Sequence, residues 1–373
     1  MNTDKDAVLA RFKTAAALPP NRWRAEYPRA RPMAVFCSYV PEEIILAAGF
    51  APVRVRKQPS QSGAWGEHLQ SYACPLARSL LEQAADGELA GFAGAVFAHS
   101  CDTMQALADI WRMRFADGFA WAVNVPTRLD GPHAAEYMLR ELIEFRAALE
   151  RLTGKPIGDD DMRAAIALCN RVRALLGRLD TLRDRMTNAE FYAATLAAQT
   201  MPREEFIPLA ESLIPQVEAA SPITSRPRAM LVGAILDDLT VPALADEVGL
   251  HLAGDDLCTS ARYMEGQVSA DAPPLEALAA HYLGRTPCPA KHREGWRRGA
   301  ALVALAQQRQ AHGVIFHLQK FCDPHAFDYA DARRDLDAAG IPHITLEDDA
   351  GPATAQWRTR LQAFAEMLGG RTP

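Results

Sequence analysis

Two cysteines stand where an open α/β sheet would bind a ligand. Residues 313–318 form a short apolar run rich in branched side chains, which is typical of a buried parallel strand. Cys322 follows this run and precedes Asp323 and Pro324, a residue favoured in the first turn of a helix. Open α/β sheets bind ligands at the carboxyl ends of their strands, and a helix N-terminus stabilises a thiolate. The pattern therefore predicts a thiolate site at this sheet edge.

The same order of elements occurs earlier in the chain. Residues 94–102 read GAVFAHSCD, a strand pattern that ends in Cys101 and Asp102 and leads into a helical pattern. A single cysteine in such a position is most simply a packing residue, because free cysteine is among the most buried residue types. The repetition instead favours two matching α/β units whose thiols face one shared cleft.

Six of the seven cysteines lie in predicted turns or at predicted helix starts. The seventh, Cys169, lies within an apolar helical pattern, which predicts a packing role. Thiolates gathered from several loops are the usual ligands of iron–sulfur clusters, and zinc is the competing metal. Their wide spacing does not fit a zinc finger, which needs close cysteine pairs. The six are Cys37, Cys74, Cys101, Cys258, Cys288 and Cys322.

Composition argues against several classes of protein. The net charge of −6 comes without a basic stripe, so we expect no nucleic-acid binding. No apolar run is long enough to cross a bilayer, and the charged N-terminus lacks a signal-peptide core. We therefore expect a cytoplasmic protein whose cysteines are thiols or metal ligands rather than disulfides. The chain has neither a Walker or dinucleotide phosphate loop nor a GxSxG motif, which argues against ATP hydrolysis by this chain and against serine hydrolysis.

The elements that must position the cysteines divide the chain into three parts. With 373 residues, 49% of them apolar, the chain can form two domains with hydrophobic cores. Strand and helix patterns alternate in residues 1–130 and again in residues 226–373, whereas residues 131–225 are helical throughout. Within the last part we expect Asp255 and Asp256 in a polar loop and a long amphipathic helix over residues 294–311. The prediction is an α/β protein with two parallel-sheet domains joined by a helical segment.

Six segments, in order along the chain, resemble signature blocks of the 2-hydroxyacyl-CoA dehydratase / benzoyl-CoA reductase family. They read CSYVPEEIILAAGFAPVRV, ACPLARSLLE, SCDTMQAL, DDLCTSARY, PCPAKH and FCDPHAFDY, and the tail QWRTRLQAFAEML fits as well. The set is specific, although no single block would be. The resemblance implies two flavodoxin-like (Rossmann-like) domains with a 4Fe–4S cluster in the interdomain cleft.

The resemblance also implies the ligands and the chemistry. Three cysteines hold the cluster in this family, and they match Cys74 and Cys101 of the first domain and Cys322 of the second. The open fourth iron then acts as a Lewis acid on a thioester carbonyl or hydroxyl. An ATPase activator with its own 4Fe–4S cluster supplies single low-potential electrons, which convert the acyl-CoA substrate to a ketyl-type radical. A homologous subunit or a second copy completes a dimer.

Several further side chains near these cysteines are candidates for substrate contact or proton transfer. Ser38 and Glu43 flank a predicted helix start, and His99 ends a predicted buried strand. Glu42 flanks the same helix start. Simpler roles are helix capping by a glutamate of the first turn, Glu42 above all, and a satisfied core position for the histidine. Arg78 and Arg262 are candidates to pair with cluster charge or CoA phosphate, and ordinary salt bridges are the simpler role for both.

Three competing interpretations are consistent with the same residues. In the first, Cys37, Cys258 and Cys288 match cysteines of the family's double-cubane branch, in which two 4Fe–4S units share a sulfide and small molecules are reduced instead of acyl-CoA. Against this branch, several blocks read closer to the acyl-CoA members, and the three cysteines can equally be packing or loop thiols. The second interpretation is a non-catalytic iron–sulfur or binding protein on the same fold. The third is a zinc-bound or metal-free binding protein.

Overall fold

The computed structural model describes residues 4–59, 62–116, 118–349 and 353–370, and within these ranges it contains two four-stranded parallel sheets. The strand order is β2-β1-β3-β4 in the first sheet and β6-β5-β7-β8 in the second, so the two sheets share one topology. This order is that of a flavodoxin-like sheet and confirms the predicted α/β class. The strands are β1 Pro32–Val35, β2 Ala51–Arg54, β3 Gly94–Ala98, β4 Phe119–Val123, β5 Arg228–Gly233, β6 His251–Asp256, β7 Gly313–Gln319 and β8 His343–Asp348.

Helices flank both sheets and fill the segment between them. In chain order the described helices are α1 Lys5–Ala16, α2 Pro20–Glu26, α3 Glu42–Ala47, α4 Pro75–Ala85, α5 Asp102–Arg114, α6 Ala134–Thr153, α7 Asp159–Thr181, α8 Asn188–Thr200, α9 Arg203–Glu218, α10 Thr240–Glu247, α11 Ala261–Met264, α12 Pro274–Gly284, α13 Arg298–Gln308, α14 Asp323–Ala338 and α15 Thr354–Gly369. Among them, no helix combines the length and the apolar character that a membrane span requires.

The largest hydrophobic core joins the two sheets through these helices. It contains Val53 of β2 and Leu231 of β5, together with Tyr192 of α8 and Phe206 of α9. Because one continuous core includes strands of both sheets, the two carboxyl edges are held fixed relative to one another. The domain boundaries expected at residues 130 and 225 stay a prediction.

The prediction that Asp255 and Asp256 lie in a polar loop is wrong. Both residues are the last of β6 and are buried. The strand can continue through two carboxylates because each is paired with a buried arginine, Asp255 with Arg183 and Asp256 with Arg262.

The long helix expected over residues 294–311 is also shorter than predicted. Only α13 is helical, because the backbone turns into the left-handed region on both sides of it. The φ angle is 70° at Gly295 and 51° at Gln310.

Substitution of Gly233 tests how closely β5 and β7 approach each other at the carboxyl edge of the second sheet. A Cβ at this position would overlap the carbonyl oxygen of His317, which a neighbouring strand fixes in place. We therefore expect Gly233→Ala to lower the free energy of unfolding by about 1–3 kcal/mol, measured by urea denaturation. Gly177→Ala is the matched control: in α7 nothing lies within 4 Å of the added Cβ, and the free energy of unfolding should rise by about 0.5–1 kcal/mol. Equal effects of the two substitutions would contradict the close approach.

Candidate functional site

The six cysteines predicted in turns all line one cavity of about 110 Å³. Its walls include residues that follow β1, β3, β5 and β6 and the last residue of β7, so both sheets contribute their carboxyl ends. Cys169, predicted to be a packing residue, is buried within α7 and is not among the described lining residues. The structure therefore brings together the set that the sequence singled out. The lining cysteines are Cys37, Cys74, Cys101, Cys258, Cys288 and Cys322.

Three of these cysteines occupy helix N-caps. Cys74, Cys101 and Cys322 are the N-caps of α4, α5 and α14, and backbone amides of each first turn favour the thiolate. Burial outweighs these amides and raises the pKa of Cys101 to about 11 and that of Cys322 to about 12. Free thiols here are therefore protonated at neutral pH, and a bound metal must displace their protons.

Charge interactions couple cysteines across the whole cavity. A thiolate at Cys74 raises the pKa of both Cys101 and Cys322 beyond the effect of burial, and a thiolate at Cys37 raises that of Cys101 as well. We call Cys74, Cys101 and Cys322, the ligand set that the family resemblance implies, the first triad.

The remaining three cysteines form a second group. Burial raises the pKa of Cys288 to about 12, and thiolates at Cys258 and Cys37 raise it as well. We call Cys37, Cys258 and Cys288 the second triad. The two triads are adjacent, because a thiolate at Cys258 also raises the pKa of Cys322.

Hydrogen bonds fix the loops that carry the second triad. Arg262 donates from Nη2 to the Cys258 sulfur at 3.3 Å and to the Gly233 carbonyl at 2.7 Å. The Ser38 hydroxyl donates to the Cys258 carbonyl at 2.7 Å, and Arg285 donates to the Ser38 carbonyl at 2.6 Å. These bonds tie the segment after β1 to the segment after β6 across the cavity.

The cavity is electropositive. Arg54, Arg262 and Arg285 line it, and none of its described lining residues is a carboxylate. Burial alone would raise the pKa of Cys258, yet Arg262 and Arg54 hold it below the ordinary value of a cysteine. An anionic thiolate group is therefore better accommodated here than in an ordinary apolar cavity.

Arg54 supplies the clearest sign of a missing partner. Its side chain is only 8% exposed, and its Nε has no hydrogen-bond partner among the described residues. A buried cation without a compensating charge is costly, and an anionic occupant of the cavity would offset that cost. In the described part of the chain, no three His, Cys, Asp or Glu side chains converge closely enough to hold a single metal ion. The thiols surround a space instead, and the donor set fits a thiolate-bound cluster.

The structure places the three candidate catalytic residues differently. Ser38 lines the cavity. Glu43 is fully buried, pairs with Arg173 and accepts a hydrogen bond from Tyr282 at 2.9 Å, and it is not among the described lining residues. His99 is half-buried and also does not line the cavity in the described structure. For Glu43 these contacts favour a structural role over a proton-transfer role.

The two arginines singled out in the sequence also differ. Both make the salt bridges expected as the simpler role, Arg262 with Asp256 and Arg78 with Asp349 at 2.7 Å. Arg262 also lines the cavity, whereas Arg78 is not among its described lining residues. Sequence reasoning missed Arg54 and Arg285. The signal for Arg54 was present, because a charged side chain interrupts an apolar strand and a buried charge requires a partner.

Comparisons with known proteins identify the family of the chain. The profile of the family described as 2-hydroxyglutaryl-CoA dehydratase, D-component, matches residues 37–368. The chain is 26% identical to the (R)-phenyllactyl-CoA dehydratase beta subunit of Clostridium sporogenes, over 88% of this chain and 90% of the relative. It is 27% identical to one subunit of the benzoyl-CoA reductase of Thauera aromatica, over 81% of this chain and 81% of the relative. It is 26% identical to the (R)-2-hydroxyglutaryl-CoA dehydratase subunit beta of Acidaminococcus fermentans, over 97% of this chain and 99% of the relative. The resemblance predicted from the sequence is thereby confirmed, and the chain belongs to the 2-hydroxyglutaryl-CoA dehydratase D-component family.

Proposed function

We propose that this chain is the iron–sulfur subunit of a cytoplasmic enzyme of the 2-hydroxyacyl-CoA dehydratase or benzoyl-CoA reductase type. The observation that carries the proposal is one cavity lined by six cysteines and three arginines. The relatives support the substrate class, since they are named as subunits of dehydratases and a reductase of CoA thioesters. Because each relative is named as one subunit of its enzyme, the names support a partner subunit for this chain as well.

The first triad, Cys74, Cys101 and Cys322, is the proposed ligand set of a 4Fe–4S cluster. When bound, such a cluster supplies single-electron chemistry and Lewis acidity at the iron that no cysteine holds. We propose that the electrons come from an ATP-dependent activator with its own 4Fe–4S cluster and that the substrate passes through a ketyl-type radical.

The protein's own residues prepare the cavity for that chemistry. Phe36, Leu76, Met104 and Ile235 make much of the lining apolar, which excludes water and strengthens every charge interaction inside. Arg54 and Arg262 oppose the negative charge that thiolates bring. In this scheme Ser38 serves to hold the substrate at the cavity wall.

A second candidate function is favoured by the second triad. Cys37, Cys258 and Cys288 line the same cavity as the first triad, so their side chains are available as ligands. If they also bind iron, the protein is a double-cubane reductase of small molecules.

Measurement of the iron content distinguishes the two candidate functions. Anaerobically purified protein should contain about four irons and four acid-labile sulfides per chain if only the first triad binds, and about eight irons if both triads bind. If only the first triad binds, Cys288→Ser should leave the iron content unchanged. If both triads bind, the same substitution should lower the iron content sharply. Cys322→Ser should lower the iron content in either case. Cys169→Ser is the control, since Cys169 is buried outside the cavity. Native protein without iron would contradict both candidates.

Arg54 tests whether the cavity is built around an anionic group. In metal-free protein, Arg54→Met should raise the free energy of unfolding by about 1–3 kcal/mol, because it removes a buried charge that has no partner. In iron-loaded protein the same substitution should weaken iron retention against a chelator by about 10–100-fold. Unfolding in urea and chelator-induced bleaching measure the two effects.

The control for Arg54 is Arg285→Met. Arg285 lines the same cavity but donates a hydrogen bond to the Ser38 carbonyl. Its replacement should therefore lower, not raise, the stability of the metal-free protein. A loss of stability in metal-free Arg54→Met would contradict the proposed role of this cation.

A further inference from the structure

A second polar cavity lies at the carboxyl edge of the second sheet. It has a volume of about 60 Å³, and its lining includes Lys57, Asp237, His317 and Asp348. Three buried polar atoms here have no hydrogen-bond partner among the described residues: both ring nitrogens of His317 and Oδ1 of Asp348. His317 Nε2 lies 3.9 Å from Asp348 Oδ2, which is too far for a direct hydrogen bond. Unpaired buried polar atoms are costly, and the space is large enough and polar enough to hold ordered water. We call this cavity the polar chamber.

The described lining of the polar chamber contains more acidic side chains than basic ones. Lys57 Nζ lies 2.5 Å from Asp348 Oδ2 but 4.0 Å from Asp237 Oδ2, so the ammonium compensates Asp237 less. The Lys57 backbone N–H donates to Asp237 Oδ1 at 2.9 Å. The remaining charged or titratable groups around Asp237 are Asp238 on its own loop, Arg56 after β2 and His317 on β7. Burial raises the pKa of Asp237 to about 6, against the opposing effect of Lys57.

One side chain separates Asp237 from the cysteines. Gln319 lines the cysteine cavity, and its Nε2 donates to Asp237 Oδ2 at 3.3 Å. The two sites also interact electrostatically, since a negative charge on Asp237 raises the pKa of Cys74 beyond the effect of burial. By reciprocity, negative charge that enters the cysteine cavity favours a proton on Asp237.

We propose that the polar chamber binds ordered water and that Asp237 takes up a proton through it when the cysteine cavity gains an electron. The inference rests on the proposed function, because the electron resides on the cluster. One electron enters the cavity and one proton leaves bulk water for the Asp237 carboxylate, so the net charge of the site does not change. His317 and Asp348 hold the waters, and Gln319 positions Asp237 beside the cavity.

The test is the pH dependence of the reduction potential of the iron-loaded full chain. In the native protein the potential should fall as pH rises above the pKa of Asp237. The steepest fall in potential expected for a one-electron couple is about 59 mV for each tenfold change in proton activity. Asp237→Asn keeps the shape of the side chain but cannot take up the proton, so its potential should stay level over that range. Asp238→Asn is the matched control: it removes the neighbouring exposed acid and should keep the native slope.

Two results would overturn the inference while leaving the proposed function intact. One is an iron-loaded native protein whose potential does not change with pH. The second is a slope that survives in Asp237→Asn, which would assign the proton to another group. A crystal structure that shows no water between the His317 ring and Asp348 would overturn the proposed path. Native protein without iron would instead overturn the proposed function.

Metal-free protein gives a measurement of Asp237 that does not depend on the cluster. An aspartate has a pKa of about 3.9 when unfolded, and that of folded Asp237 is about 6. The protonated form therefore adds stability below pH about 4, and this stability is lost as pH rises through about 6. Relative to Asp237→Asn, the native protein should lose stability across that interval. Identical pH profiles of unfolding for the two proteins would overturn the assignment of Asp237 as the proton site.

Discussion

The site depends on Arg54, a buried arginine whose Nε has no hydrogen-bond partner among the described residues. Other buried arginines have partners within the protein: Arg203 pairs with Glu42, and Arg56 and Arg285 donate to backbone carbonyls. The Arg54 side chain instead borders a cavity whose described lining contains thiols and no carboxylate. An anionic occupant would offset the cost of burying such a cation, and the cluster proposed above would supply that charge through its thiolates. The positive cavity and the six cysteines are therefore two halves of one arrangement.

The duplicated architecture explains how six thiols reach one space. Each half of the chain contributes three cysteines, and the carboxyl edges of both sheets border the cavity. Cys101 and Cys322 are equivalent, because each caps the helix that follows the third strand of its half. The first triad takes Cys74 and Cys101 from the first half and Cys322 from the second. The second triad takes Cys37 from the first half and Cys258 and Cys288 from the second. Two related halves thus place two related sets of three thiols around one cavity, which is why both a single and a double cluster were proposed for it.

Sequence patterns were sufficient to predict the strands and to place cysteines at the ends of those strands. Apolar runs such as residues 313–318 and helix starts marked by Pro75 or Pro324 are local signals, and the structure confirms them. What the sequence could not show depends on partners far away in the chain. Asp255 continues a strand only because Arg183, 72 residues away, neutralises it. Glu43 is likewise held by Arg173, so its place outside the cavity follows from tertiary packing.

The most direct test of the central claim is a crystal of anaerobically purified protein measured on both sides of the iron absorption edge. The account predicts anomalous iron density inside the cavity, in contact with the sulfurs of Cys74, Cys101 and Cys322. If the second triad also binds, a second body of density will lie beside Cys288. Iron density outside this cavity, or a cavity that holds no metal in freshly purified protein, would contradict the account.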